Sequence, residues 1–127
     1  MSQVVAAIIK KKDKYLLARR AKHKTLAGKW EFPGGKIDLY ETPEQAVERE
    51  LYEEFKVRTE TGRHLVTVVH DYGDFKIELM AYESHYLKGG FELTDHDQIA
   101  WVSWDDLTDY DLAEADLKLV EKLHGLV

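Results

Sequence analysis

One segment constrains the fold more than any other: Thr42-Pro43-Glu44-Gln45, continuing through Ala46–Phe55. Thr42 is a good N-cap, Pro43 suits the first helical position, and Gln45 stands where it can close a capping box with Thr42. The spacing predicts a helix to about Phe55 with one apolar stripe, Val47, Leu51 and Phe55. A helix with a single apolar stripe must bury it against another layer. The remaining chain supplies strands for that layer.

Val4–Ile9 is apolar and β-branched and reads as a buried strand; Lys10–Lys14 is a polar turn around Asp13, and Tyr15–Arg19 returns as a hairpin partner. Ala21–Lys29, with Gly28, is a loop. Trp30-Glu31-Phe32 is a short strand stopped by Pro33-Gly34-Gly35. His64–His70 and Phe75–Tyr86 flank the turn Asp71–Asp74. In the second run Phe75, Ile77, Leu79 and Ala81 alternate with Lys76, Glu78, Met80 and Tyr82, the period of a half-buried antiparallel strand. Lys88-Gly89-Gly90 breaks it. Ile99–Val102 is a further strand, and Ala113–Leu123 is a closing amphipathic helix. Antiparallel strands mixed with two helices predict an α+β or α/β/α layer arrangement in one domain spanning residues 1–127.

Composition narrows the function classes. The chain is 44% hydrophobic, enough apolar surface to order 127 residues. It has no Cys, which excludes thiol catalysis and Cys-ligated zinc. Lys and Arg number 18 against 24 Asp and Glu, a formal charge of −6, which disfavours a nucleic-acid polymer as partner. The longest apolar run, Val4–Ile9, is far shorter than the roughly 20 residues that span a bilayer. The start, Met-Ser-Gln-Val, lacks a basic region and a cleavage-like site. No membrane partner and a cytoplasmic location are expected. Monomer and dimer stay open.

The helix also holds the chemistry. Glu50, Glu53 and Glu54 stand at i, i+3 and i+4, within a roughly 100° arc beside the apolar stripe. Like charges at that spacing repel by a few tenths of a kcal/mol per pair. An Arg49–Glu53 pair can offset part of this, and a hard divalent cation would offset more. Oxygen-only donors favour Mg²⁺ or Mn²⁺. Gly34-Gly35 permits a close backbone approach, and a carbonyl there can add a ligand. Such a site suits phosphate chemistry, because Mg²⁺ bridges one or two carboxylates to substrate phosphates.

Gly35-Lys-Ile-Asp-Leu-Tyr-Glu41, seven residues, then Arg49-Glu50-Leu51-Tyr52-Glu53-Glu54-Phe55-Lys56-Val57 resembles the Nudix box, G-x5-E-x7-R-E-U-x-E-E-x-G-U, where U is a bulky aliphatic residue. Eight of its nine fixed or class-restricted positions match, and the miss is Lys56, where the family has Gly. Trp30-Glu-Phe-Pro-Gly-Gly-Lys36 and Glu41–Val47 are similar to the MutT-type branch. Tyr110-Asp-Leu-Ala-Glu-Ala-Asp116 is similar to the tail of CTP pyrophosphohydrolases. The resemblance implies an α/β/α sandwich around a mixed sheet. It also implies hydrolysis of a nucleoside triphosphate to nucleoside monophosphate and pyrophosphate, with Mg²⁺ or Mn²⁺ as cofactor.

Position by position, the resemblance implies metal ligation by Glu50, Glu53, Glu54 and the Gly34 carbonyl. It implies an orienting role for Arg49, and makes Glu41 the outlying glutamate of the box. Asp95 is implied as a loop carboxylate, with Asp97 its competitor; Glu53, Glu50, Arg49 and Asp95 form the catalytic set. Arg20, with Arg19 as alternative, matches a phosphate-contacting arginine, and Lys36 can also reach phosphate. Trp30 and Phe32 alternate with Glu31, so that one can stack on a base while the other fills the core. Glu114 occupies the base-reading position of the MutT-type branch, and Asp116, two residues on, is the stronger candidate. The lone loop His96 reads as structural or solvated. The substrate stays open between 8-oxo-dGTP and CTP or dCTP. Behind these stand another diphosphate-linked nucleoside and a non-catalytic nucleotide-binding module.

Overall fold

A computed structural model describes all of residues 1–127. At its centre lies β1 (Ser2–Lys11), whose alternate side chains enter two different cores. Ala6 and Ile8 face one layer, and Val5, Ala7 and Ile9 face the other. This is why the run reads as continuously apolar: a strand covered on both faces has no polar side. β2 (Lys14–Arg20) returns antiparallel from the hairpin and splits the same way, Tyr15 and Leu17 against Leu16 and Ala18.

β6 (Lys76–Lys88) runs parallel to β1 from Ser2↔Ile77 to Ile9↔Ser84, while β5 (Arg58–Asp71) pairs antiparallel with β6. β3 (Trp30–Glu31) and β7 (His96–Ser103) lie on either side of β2. The sheet is therefore mixed and seven-stranded. The half-buried reading of β6 needs correction at its centre: Leu79 and Ala81 enter one core and Tyr82 the other. Helix α1 (Pro43–Phe55) covers one face of the sheet with Ala46, Val47, Leu51 and Phe55. Helix α2 (Glu114–Leu123) covers the opposite face with Ala115, Leu119, Val120 and Leu123. The result is the α/β/α sandwich expected. No helix is long and apolar enough to cross a membrane.

Two strand expectations also need correction. Gly34-Gly35-Lys36 does not end a strand but forms β4, antiparallel to β1 at Val4↔Lys36, Val5↔Gly35 and Ala6↔Gly34. A Cβ on Gly34 would collide with the Val5 carbonyl, so glycine here marks a close backbone approach and not a break. β5 begins at Arg58, six residues earlier than the apolar pattern suggests. Its polar first half is an edge strand interrupted by register shifts at Thr61/His64 and His64/Val66, which erase the period-two signal.

Candidate active site

The N-terminus of α1 is built as its sequence dictates. Thr42 Oγ1 accepts from the Gln45 N–H at 3.1 Å, and Gln45 Oε1 accepts from the Thr42 N–H at 2.9 Å. The C-terminus is held by a different set of contacts. Lys56 adopts the left-handed conformation at φ 59° and ψ 29°, the geometry a Gly takes without strain. Its N–H reaches the Tyr52 carbonyl at 2.9 Å and its Nζ the Glu53 carbonyl at 3.1 Å. The segment before β7 supplies the rest: Thr94 Oγ1 donates to the Glu54 carbonyl at 3.1 Å and the Glu92 N–H to the Phe55 carbonyl at 2.9 Å.

Between these ends, Arg49 binds the acidic residues together. Its Nε and Nη2 grip Glu41 at 2.7 and 3.0 Å, a bidentate pair. Nη1 reaches Glu50 at 2.9 Å and Glu53 at 2.8 Å, and Nη2 donates to the Lys36 carbonyl at 2.9 Å. The guanidinium beside Glu41 holds that carboxyl below its usual range. Glu50 goes the other way, because burial raises it more than Arg49 lowers it. Gly35 makes room for Glu50: a Cβ there would lie 2.5 and 2.7 Å from the two carboxylate oxygens.

Glu54 stands apart from this network. Its Oε2 is buried with no hydrogen-bond partner. Its carboxyl is pushed up to about 9, first by burial, then by the charges of Glu50, Glu31 and Asp95. Those acidic neighbours locate it in a field that wants a cation.

A β-bulge sends the two loop aspartates in different directions. β2 pairs Arg19 with Gln98 and Arg20 with His96, so Asp97 is the extra residue. Asp97 turns out to Arg19 at 2.7 Å, which holds its carboxyl below the usual range. Asp95 remains on the Glu54 side, 3.2 Å from Lys24. His96 turns inward. It is neither solvated nor isolated: its ring stacks on Phe55 at 5.1 Å, and Nε2 lies 2.8 Å from Glu31 Oε2.

A cavity of about 390 Å³ opens beside the helix. Its wall includes Gly34, Gly35, Lys36, Arg20, Glu31, Phe32, Tyr72, Phe75 and Asp116. Arg20 is at the wall, but its guanidinium already engages Glu31 at 3.1 Å and the Thr25 carbonyl. The bridge Trp30↔Leu112 ties β3 to the segment before α2 and brings Asp116 under Phe32. The buried Asp116 side chain accepts from the Phe32 N–H at 2.9 Å. Burial, then the charge of Glu31, raises its pKa well above the ordinary value.

The base-side expectations divide. Phe32 and Asp116 line the cavity, whereas Trp30 and Glu114 do not. Trp30 packs edge-on against Tyr110 at 5.0 Å with Arg19 over its ring. Glu114, in the first turn of α2, points outward beside His70 at 2.8 Å with its side chain 70% exposed. Glu31, His96 and Tyr72 escaped the sequence reading as site residues. Only the alternation of Glu31 with Phe32 hinted that a charged side chain at a strand end faces inward.

The donor set fits a hard divalent cation. It is all oxygen, it contains the unpartnered Glu54 Oε2, and glycine at 35 keeps the Glu50 carboxylate unobstructed. Gly34 extends it. The Pro33 carbonyl takes the Ala7 N–H and the Gln3 carbonyl takes the Ile37 N–H, so by ladder alternation the Gly34 carbonyl faces away from β1. No three acidic or histidine side chains stand close enough to hold an ion as they are; Arg49 occupies the space between them.

A mixed sheet between two helices, with a glycine pair, an acidic helix and an arginine hub, defines a hydrolase of phosphoric anhydrides. The NUDIX domain model matches residues 4–122, and the chain belongs to the Nudix hydrolase family, MutT type. It is 35% identical to a CTP pyrophosphohydrolase of Escherichia coli (strain K12) over 99% of this chain and 93% of that one. It is 36% identical to a putative 8-oxo-dGTP diphosphatase 2 of Mycobacterium tuberculosis, over 89% and 81%. Among solved structures, a MutT protein from Methanosarcina mazei superposes with a TM-score of 0.89 at 26% identity, covering 98% of this chain and 94% of that one. A MutT NUDIX hydrolase from Burkholderia pseudomallei gives 0.85 at 30% identity, covering 96% and 97%.

Proposed function

We propose that this Nudix hydrolase converts a nucleoside triphosphate and water to nucleoside monophosphate and pyrophosphate, with Mg²⁺ or Mn²⁺ and with guanine or oxidised guanine as the preferred base. The observation that carries this reading is that one cavity joins two groups: Gly34, Gly35, which lies against Glu50, and Lys36 on one side, and Phe32, Glu31 and Asp116 on the same wall. A triphosphate at the first group and a base at the second is what one nucleotide requires.

Glu50, Glu53, Glu54, Asp95 and the Gly34 carbonyl would hold the cation. When bound, it would neutralise the phosphate chain and polarise the anhydride undergoing cleavage. Arg49 keeps Glu50 and Glu53 aimed at one place. Lys36, and Arg20 if it leaves Glu31, supply positive charge to the phosphates. At the base end, Asp116, raised toward its protonated form, would have an O–H to donate and an oxygen to accept, and the Glu31 side chain lines the same wall. Guanine answers both, with O6 as acceptor and N1–H and N2–H₂ as donors.

Cytosine is the second reading. A neutral acid can serve N3 and N4–H₂ together, and the relative matched across nearly the whole chain is named for CTP. Initial rates on 8-oxo-dGTP, dGTP, CTP and dCTP, with products resolved by ion exchange, separate the two. Release of inorganic phosphate in place of pyrophosphate would sink the reaction assignment itself. The same reading gives nucleotide as the partner and leaves monomer or dimer to be measured.

A further inference from the structure

His96 is a buried, orphan-bearing side chain that the reaction just described does not use. Its side chain is 1% exposed. A carboxylate oxygen can only accept, so the 2.8 Å contact to Glu31 Oε2 requires the proton on His96 Nε2. Nδ1 is buried with no partner, which suits the unprotonated nitrogen of that tautomer. The ring is fixed from a second direction by Phe55, stacked at 5.1 Å and 17°. Phe55 ends α1, directly after Glu54. One imidazole thus touches the end of the acidic helix on its face and the cavity wall on its edge.

Glu31 needs such a partner. It lines the cavity beside Asp116, and Arg20 is its other support, at 3.1 and 3.3 Å. Arg20 can leave for phosphate; His96 cannot leave, since the bulge at Asp97 and the stack on Phe55 fix it. We propose that His96 is a positioning residue that holds the Glu31 carboxylate in the cavity wall, and so sets substrate affinity through Glu31 without taking part in the chemistry. This rests on the nucleotide reading above. It adds that affinity at the base end depends on a residue that never meets the substrate.

Two replacements separate the bond from the packing. His96→Phe keeps a ring on Phe55 and removes the N–H; His96→Gln keeps an N–H within reach and removes the ring. His96→Phe should raise KM for the preferred nucleoside triphosphate about 10-fold, with kcat within about twofold, because a buried acceptor loses its donor. His96→Gln should recover most of that loss. In a Glu31→Gln background His96→Phe should add nothing, since both act as one unit. An unchanged KM in His96→Phe would overturn the proposal. So would equal losses in both variants that follow their melting temperatures, or a full additive effect on Glu31→Gln.

If the wild-type protein turns over no nucleoside triphosphate, the nucleotide reading fails, and the positioning role is read on the free protein. Long-range ¹H–¹⁵N spectra should place the His96 proton on Nε2, and His96→Phe should move the Glu31 carboxyl ¹³C resonance. A proton on Nδ1, or an unmoved Glu31 resonance, would overturn the positioning role independently of activity.

Discussion

The Glu50 carboxylate fills the space that a side chain on residue 35 would need: a Cβ on Gly35 would come within 2.5 Å of Glu50 Oε2. Gly35→Ala therefore displaces a half-buried glutamate that Arg49 also holds. A shift of about 1 Å in a positioned group can cost on the order of 10²-fold in rate. We expect kcat to fall by about that factor while KM changes little. Wild-type kcat in the alanine variant would mean that Glu50 has freedom to move.

Glu53→Gln and Glu54→Gln should each lower kcat by roughly 10²-fold, and excess chelator should abolish wild-type activity. The two differ in stability. Burial, then Glu50, Glu31 and Asp95, raises the Glu54 carboxyl from 4.5 to about 9. Without metal, its contribution to stability is complete below pH 4.5 and is lost as pH rises through 9. At pH 8, metal-free Glu54→Gln should melt no lower than wild type, and only wild type should gain melting temperature from added Mg²⁺. An equal Mg²⁺ increment in both would remove Glu54 from the metal site. Glu48→Gln serves as the control for kcat, although Glu48 is not idle: it accepts from the Thr61 N–H at 3.0 Å, so a small melting shift is expected.

Asp116→Asn tests the neutral acid at the base end. Asn keeps an acceptor for the Phe32 N–H and offers a donor as the neutral acid does. KM for the preferred nucleotide should stay within about threefold, whereas Asp116→Ala should raise it about 10-fold and also leave a buried N–H unpaired. Because burial raises the Asp116 carboxyl, wild-type stability falls as pH rises through that raised value. The melting advantage of Asp116→Asn should thus grow as pH rises above the ordinary Asp range. A large KM increase in Asp116→Asn would show that the residue works ionised.

Lys56→Gly should raise the melting temperature by about 2–3 °C with kcat unchanged. Relief of left-handed strain, about 1 kcal/mol, outweighs the exposed Nζ contact to the Glu53 carbonyl. A lower melting temperature would show that the Nζ bond and the Tyr52 ring beneath it matter more.

What the sequence revealed and what it hid follow from locality. Helix α1 was legible because its cap, its stripe and its glutamates all lie within one stretch of chain. The doubly apolar β1 was legible for the same reason. β4 was not, because glycine reads as a breaker until the Val5 carbonyl that it must clear is known. That Asp97 turns out to Arg19 while Asp95 stays on the Glu54 side depended on a bulge set by pairing with β2, far away in sequence. Glu31 and His96 each look ordinary alone; only their 2.8 Å contact, across 65 positions, gives them meaning. Glu114 was misplaced in the cavity by one helical turn's geometry: the helix directs Asp116 inward and Glu114 out to His70.

The bridge between Trp30 and Leu112 has a consequence for how the molecule is made. The Trp30 N–H and carbonyl bond to Asp111 and Ala113, and this seats Asp116 beneath Phe32. During synthesis the acidic helix emerges some sixty residues before Asp116 does. The cavity wall beneath Phe32 is therefore completed only when α2 packs, after every strand of the sheet has been made.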